Sequence, residues 1–169
     1  MSPIGTSGTS SLSRSPRSNA PAGDRPSVVR LLLDTNVLGK ICHPRKYQDV
    51  RAWFRLAATG HEFLLSELAD YELRRELLRI SSRRGIARLD ELTRELRYVP
   101  VTTATWRLAA QLWAHLRRTG KSSASDRDLD GDVILMAQAR AEDAAVVTSN
   151  TRHFEALVPA MDWPLVSIS

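Results

Sequence analysis

The apolar residues of this chain fall into two alternating periods. "VVRLLL" (28–33) and "HEFLLS" (61–66) are short runs of Val, Leu and Phe that read as buried strands. Between them, residues 48–58 carry Val50, Trp53, Phe54 and Ala57 at helical spacing. Ser66 stands where it can cap a helix over about 67–83, with Ala69, Leu73, Leu77 and Ile80 on one face. A further helix is expected over about 86–97, then a short extended piece, "YVPV" (98–101). Residues 105–118 place Ala109, Leu112, Trp113 and Leu116 on one stripe and stop at Gly120. The polar segment 121–132 reads as a loop leading into a helix from "VILMAQARA", and "AAVVTS" (144–149) and "PLVSIS" (164–169) read as closing strands. Strands separated by helices predict an α/β sandwich, a mainly parallel central sheet flanked by helices.

Residues 1–27 break this rhythm. They are rich in Ser, Pro, Gly and Thr and cannot bury enough apolar surface to offset their ordering entropy, so a disordered tail is expected there. The segment has no apolar run of the secretory-signal kind. Residues 28–169 are left as one domain of common size. No apolar stretch approaches the ~18 residues of a membrane span. The single cysteine, Cys42, can form no internal disulfide, which points to a reducing, cytoplasmic setting. The net charge of +5 comes from an unusual basic set: of 24 basic residues only Lys40, Lys46 and Lys121 are Lys. Arginine's planar donor fork suits phosphate, but codon bias in a GC-rich genome gives the same excess. Composition alone leaves a nucleic-acid partner open.

The acidic residues change the picture more. In an open parallel sheet, ligands bind at the carboxyl ends of the strands. Asp34 follows the first predicted strand directly, and Asn150 follows "AVVTS" in the equivalent place. Asp130 and Asp132 stand at the start of the "VILMAQA" helix, and Glu72 lies one to two turns into the helix after "FLLS". Carboxylates gathered this way repel one another unless protons or cations neutralise them. An oxygen-only donor set suits Mg²⁺ or Mn²⁺. Each residue taken singly has a plainer explanation. Asp34 and Asp130 are good helix caps, Asp132 suits a first helical turn, and Glu72 has Glu67, Asp70 and Glu76 for company on a charged face. Their joint placement at one sheet edge is what carries weight.

Four segments in order then resemble the PIN-domain ribonucleases, and within them the VapC-like toxins of type II toxin–antitoxin systems. "LLLDTNVL" (31–38) is similar to the family's strand ending in Asp-Thr/Ser-Asn. "LLSELADYEL" (64–73) is similar to its second motif, in which a Ser precedes a helical Glu-Leu by six positions, here Ser66 and Glu72. "DVILMAQA" (132–139) and "VVTSNTRHF" (146–154) resemble the remaining two, with Asn150 where some members carry a fourth acid and His153 where an acid often precedes the Phe. The resemblance implies a PIN-like three-layer sandwich and metal-dependent endonucleolytic cleavage of RNA. It implies catalytic roles for Asp34, Glu72 and Asp132 around Mg²⁺ or Mn²⁺, with Asp130 expected to complete the ligand set. Asn36, Thr148 and Asn150 would support them, and Arg74, Arg75 and Arg79, with Arg83 and Arg84, would guide the RNA backbone or, as the plainer explanation, form a solvated helix face. A cognate antitoxin and a homodimer are implied as partners. Trp53, Phe54, Trp106 and Trp113 would serve interfaces or, as their helical spacing suits better, the core.

Three other readings compete. A PIN nuclease of RNA processing, outside toxin–antitoxin systems, would look the same in sequence. A non-catalytic PIN-like module binding RNA or protein would have no need of the three acids. A phosphatase of the haloacid dehalogenase type needs an Asp two positions after the first, and that position is Asn36.

Overall fold

In a computed structural model, residues 28–120 and 126–168 are described, with only the backbone of 126–128. The expected tail (1–27), the first part of the polar loop (121–125) and Ser169 lie outside the described residues. The order of elements is β1 (Arg30–Leu33), α1 (Thr35–Cys42), α2 (Gln48–Ala57), β2 (Glu62–Ser66), α3 (Glu67–Arg79), α4 (Arg83–Glu95), β3 (Arg97–Val99), α5 (Thr103–Thr119), α6 (Asp126–Glu142), β4 (Ala145–Val147) and β5 (Ala160–Met161). Short 3-10 turns cover Thr151–His153 and Trp163–Leu165.

All strand pairs are parallel, in the order β3-β2-β1-β4-β5. The apolar runs are continuous because both faces of the sheet are covered, as parallel sheets require. Alternate residues divide between two cores. Leu31, Leu33, Phe63, Leu65 and Val147 face α1–α4, while Leu32, Leu64 and Val146 face α5 and α6. The result is the predicted three-layer sandwich, a five-stranded sheet between helices. Burying each fully enclosed Leu of β1 is worth about 1.5–3 kcal/mol, so this strand anchors the fold. Cys42 is buried in the same core, and burial pushes its thiol up to about 12, which leaves it inert.

Four expectations are corrected. The helix read over 67–83 ends at Arg79, because Ser81 adopts a left-handed φ of 53° that turns the chain into α4, which itself starts three residues and ends two residues earlier than the pattern suggested. Residues 126–132 are helical, so Asp130 and Asp132 lie inside α6 and neither caps it. The segment 164–168 is not a strand. Pro164 has no N–H to give a sheet ladder, and Trp163 packs on Trp53 with ring centroids 5.7 Å apart. The fifth strand is instead Ala160–Met161. Of the four large aromatics, Trp53 and Phe54 are core residues and Trp113 is half-buried against it, but Trp106 is 55% exposed.

Candidate active site

β1 lies at the middle of the sheet, with connections leaving to β2 on one side and the return to β4 on the other. Such a switch point opens a crevice beyond the strand ends. Asp34 sits in it. Its backbone N–H donates to the Val147 carbonyl (3.1 Å), and its own carbonyl accepts the first bonds of α1 from Val37 and Leu38 (3.1 and 2.9 Å). The backbone therefore caps α1, but the side chain makes no capping bond. The carboxylate turns instead toward β4, where Oδ2 accepts from the buried Thr148 hydroxyl (2.6 Å) and from the Asn36 amide. Asn36 Oδ1 accepts the Ser149 N–H (3.1 Å), and Thr148 Oγ1 accepts the Asn150 N–H (3.0 Å). Thr148 and Asn36 thus fix the carboxylate to two elements at once. Lys40, one turn further along α1, closes the same seam by donating to Ser149 Oγ (2.7 Å).

Glu72 reaches the crevice from α3. Its Oε2 accepts from the Thr35 hydroxyl (2.6 Å), which locks it beside the first turn of α1. Its Oε1 faces Gly131 of α6, where a Cβ would stand only 3.4 Å away. Ser66 explains why the motif opens with a Ser: it accepts the Ala69 N–H to cap α3 (3.3 Å) and donates to Gln138 Oε1 (2.6 Å). Gln138 in turn donates to the Val99 carbonyl (2.7 Å), so one buried amide ties α6 to β2 and β3. Asp132 reaches in from α6 and pairs with His153, Oδ2 to Nδ1 at 2.9 Å.

These side chains line one cleft of about 680 Å³, shared by Asp34, Asn36, Glu72, Asp130, Asp132, Asn150 and His153. Burial holds the Asp34 carboxyl above its ordinary range, the Glu72 charge adds to the rise, and the Thr148 hydroxyl opposes it. Neither Asp34 nor Glu72 has an arginine or lysine partner among the described residues. Arg75 lines the cleft and lies over the Tyr71 ring (5.2 Å). Arg74 and Arg79 are engaged elsewhere, Arg74 with Asp70 and Asp90 (2.9 and 2.8 Å) and Arg79 with Glu76. Thr148 supports the cleft from beneath.

Sequence reasoning passed over Thr35, Gly131 and Lys40, and left His153 without a role. Thr35 and Gly131 adjoin acids already singled out, and that adjacency was their only signal.

The donors on offer are mostly carboxylate and amide oxygens, the chemistry of a hard divalent cation. Among the described residues, no three acidic, histidine or cysteine side chains stand together as a ready-made metal cluster. Mg²⁺ does not demand one, since it keeps several waters and takes one or two carboxylates plus substrate phosphate. The residues fit such an ion by donor type and by Asp34's want of a counter-charge.

A family model described as PIN domain matches residues 31–157. Comparison with curated proteins gave no match. Among solved structures, a chain of the crystal structure of VapBC2 from Rickettsia felis, bound to a DNA fragment from their promoter, has a TM-score of 0.65 at 18% identity, over 80% of this chain and 99% of that one. DNA-bound VapBC from Salmonella typhimurium gives 0.65 at 22% over the same shares. VapC20 from Mycobacterium tuberculosis, a Sarcin-Ricin loop cleaving toxin, gives 0.55 at 19%, over 76% of this chain and 95% of that one. Identities this low speak to a shared fold.

Proposed function

The chain belongs to the PIN-domain family, and from that premise we propose that it is a Mg²⁺- or Mn²⁺-dependent endoribonuclease, the toxin of a toxin–antitoxin pair. The observation that carries the reading is the half-buried Asp34 carboxylate, raised in pKa and sharing a cleft with Glu72, with no basic counter-ion to either among the described residues. An enzyme that hydrolyses phosphodiesters with a cation needs such a place, anionic and open to substrate. The structural likeness to VapBC chains and to a toxin that cleaves the Sarcin-Ricin loop supports RNA as substrate and an antitoxin as partner.

Asp34, Glu72 and Asp132 would hold the cation, with Asp130 at the rim adding charge. When bound, the ion supplies a Lewis acid beside the scissile phosphate and a means of activating water. The chain's own residues do the rest. Thr148 and Asn36 hold Asp34 in one rotamer, and Thr35 does the same for Glu72, so neither carboxylate has to reorganise as charge develops. Asn150, beside the cleft, offers an amide to substrate oxygens, and Arg75 at the wall offers a guanidinium to a neighbouring phosphate. A second copy of the chain as partner belongs to the same proposal.

The test uses purified protein and structured RNA with Mg²⁺ or Mn²⁺. Cleavage that stops on adding EDTA is expected, and cleavage that persists in EDTA overturns the metal mechanism. Expression in a bacterial host should slow growth, and co-expression of a small protein encoded beside the gene should relieve it. Unaffected growth with active purified enzyme would point instead to RNA processing.

A further inference from the structure

Of the arginines on α3, Arg74 and Arg79 are spent on acids, whereas Arg75 pairs with no carboxylate among the described residues. It lies instead over the Tyr71 ring, 5.2 Å from guanidinium to centroid. That contact ties Tyr71 to the cleft. Leu68, Glu72 and Arg75 line the cleft from α3. Residues three and four apart share a helix face, so Tyr71, three after Leu68 and four before Arg75, stands at the lip. Its side chain belongs to neither core, and Tyr71 is 60% exposed, more than any other Phe, Tyr or Trp among the described residues. The two other exposed tyrosines have other engagements: Tyr98 donates its hydroxyl to Asp70 (3.1 Å), and Tyr47 sits edge-on to the His43 ring. With a guanidinium over one face of Tyr71, an exposure of that size leaves the other face open to solvent.

An open aromatic face beside an unpaired guanidinium offers two things that a nucleotide can use at once. The cation takes a phosphate, and the ring takes a base, whatever its identity, because every base has a π-face. We propose that Tyr71 stacks on a nucleobase of RNA held at this cleft, the base of a nucleotide flanking the phosphate to be cleaved. The inference rests on the RNA reading above and adds to it a base contact where only phosphate contacts stood. Tyr71 directly precedes Glu72, so the stacked nucleotide lies next to the acids rather than along a distant track. Arg75 holds the ring from behind, which limits the freedom lost when a base settles on it. A base within a duplex has both faces covered by its neighbours, so the nucleotide seated on Tyr71 is an unpaired one.

The test is a binding cycle with the full chain in EDTA, read by fluorescence anisotropy. The probes are a short labelled single-stranded RNA of all four bases and a sugar-phosphate strand of the same length without bases. Wild type should prefer the RNA by about tenfold, the scale of one base stacked on an aromatic ring. Tyr71→Ala should bind both strands alike, and Tyr71→Phe should keep the preference; both should melt as wild type does, since the ring is exposed. Salt separates the ring from its neighbour. Arg75→Ala should lower the slope of log affinity against log salt by about 0.7, the value of one phosphate contact on a single strand, and Tyr71→Ala should leave it unchanged. A preference that survives in Tyr71→Ala overturns the stacking role and leaves the nuclease standing. A lowered salt slope in Tyr71→Ala also overturns it, because the ring then only steadies Arg75. A changed oligomeric state of Tyr71→Ala in light scattering does the same, because the ring is then a contact between copies. If wild type binds neither strand, this inference and the RNA reading fall together.

Discussion

Helix α3 carries acids of two kinds, and they are treated in opposite ways. Asp70 and Glu76 are each held by an arginine, Asp70 by Arg74 and Glu76 by Arg79, and Asp70 also accepts from Tyr98. The same pairing runs over the surface, in Arg88 with Glu91, Arg97 with Glu142 and Arg30 with Glu62. Glu72, two residues from Asp70, gets a hydroxyl, and Asp34 gets a hydroxyl and an amide. Glu67, at the start of the same helix, also takes only a neutral donor, the Val101 N–H at 2.6 Å, but it stands outside the cleft; Asp34 and Glu72 are half-buried carboxylates with neutral donors that share one cleft. Arginine pairing neutralises an acid, whereas hydroxyl and amide donors fix its position and leave its charge for something else. That is the physical difference between the paired acids of the surface and the two carboxylates of the cleft.

The largest effect should come from Asp34→Asn. It keeps shape and hydrogen-bonding capacity but removes charge, and RNA cleavage should fall by about two orders of magnitude or more, as loss of several kcal/mol of transition-state stabilisation implies. Glu72→Gln should do the same. Without metal, Asp34→Asn should be at least as stable as wild type, because it removes a charge that burial disfavours. The pH dependence gives an independent check. A carboxyl raised above its ordinary value of 3.8 binds its proton more tightly folded than unfolded. Metal-free wild type should therefore gain stability from this group as pH falls through the raised value toward the ordinary one, and Asp34→Asn should lack that gain. Melting curves across that range decide it; an Asp34→Asn protein with full activity collapses the distinction.

Next in size is Gln138→Ala. It strands the Val99 carbonyl and the Ser66 hydroxyl in the core, at a cost of about 1–3 kcal/mol for each buried polar group left unsatisfied. Denaturant midpoints should drop, with residual activity tracking the folded fraction. Gly131→Ala is smaller and two-sided. Alanine inside α6 favours the helix by up to about 1 kcal/mol, while its Cβ would stand in van der Waals contact with Glu72 Oε1 at 3.4 Å and take up space beside that carboxylate. Activity should fall several-fold in a protein no less stable than wild type. Glu76→Gln should be the smallest, with melting and cleavage both indistinguishable from wild type, because its acid is exposed and merely paired.

The three-layer architecture was legible because parallel strands buried on both faces leave unbroken apolar runs, as in "RLLL" and "FLLS", separated by helical spacing. What misled was local. Polar residues 126–132 read as loop, although their backbone continues α6, and "PLVSIS" has strand residues behind a proline that cannot join a sheet. Asp34, Glu72 and Asp132 stood out by position relative to strands, and the fold places all three on one cleft. Thr35 and Gly131 could not stand out, since a contact between residues on separate helices leaves no mark in either local pattern. For the arginines, only three-dimensional packing separates Arg75, at the cleft, from Arg74 and Arg79, spent on neighbouring acids.

Val147 accepts the N–H of Asp34, and Thr148 beside it holds the carboxylate, so the first strand's acidic end is completed by residues made more than a hundred positions later. The order of synthesis follows from this. While the ribosome is still adding α6 and β4, the emerged part has β1, β2 and the helices between them, but not the strand that fixes Asp34. Pairing of distant parallel strands is slow to form and comes late in folding. A growing chain thus carries Asp34 for a long stretch of synthesis without the hydroxyl that fixes its carboxylate, and a chain ended before Thr148 never gains it.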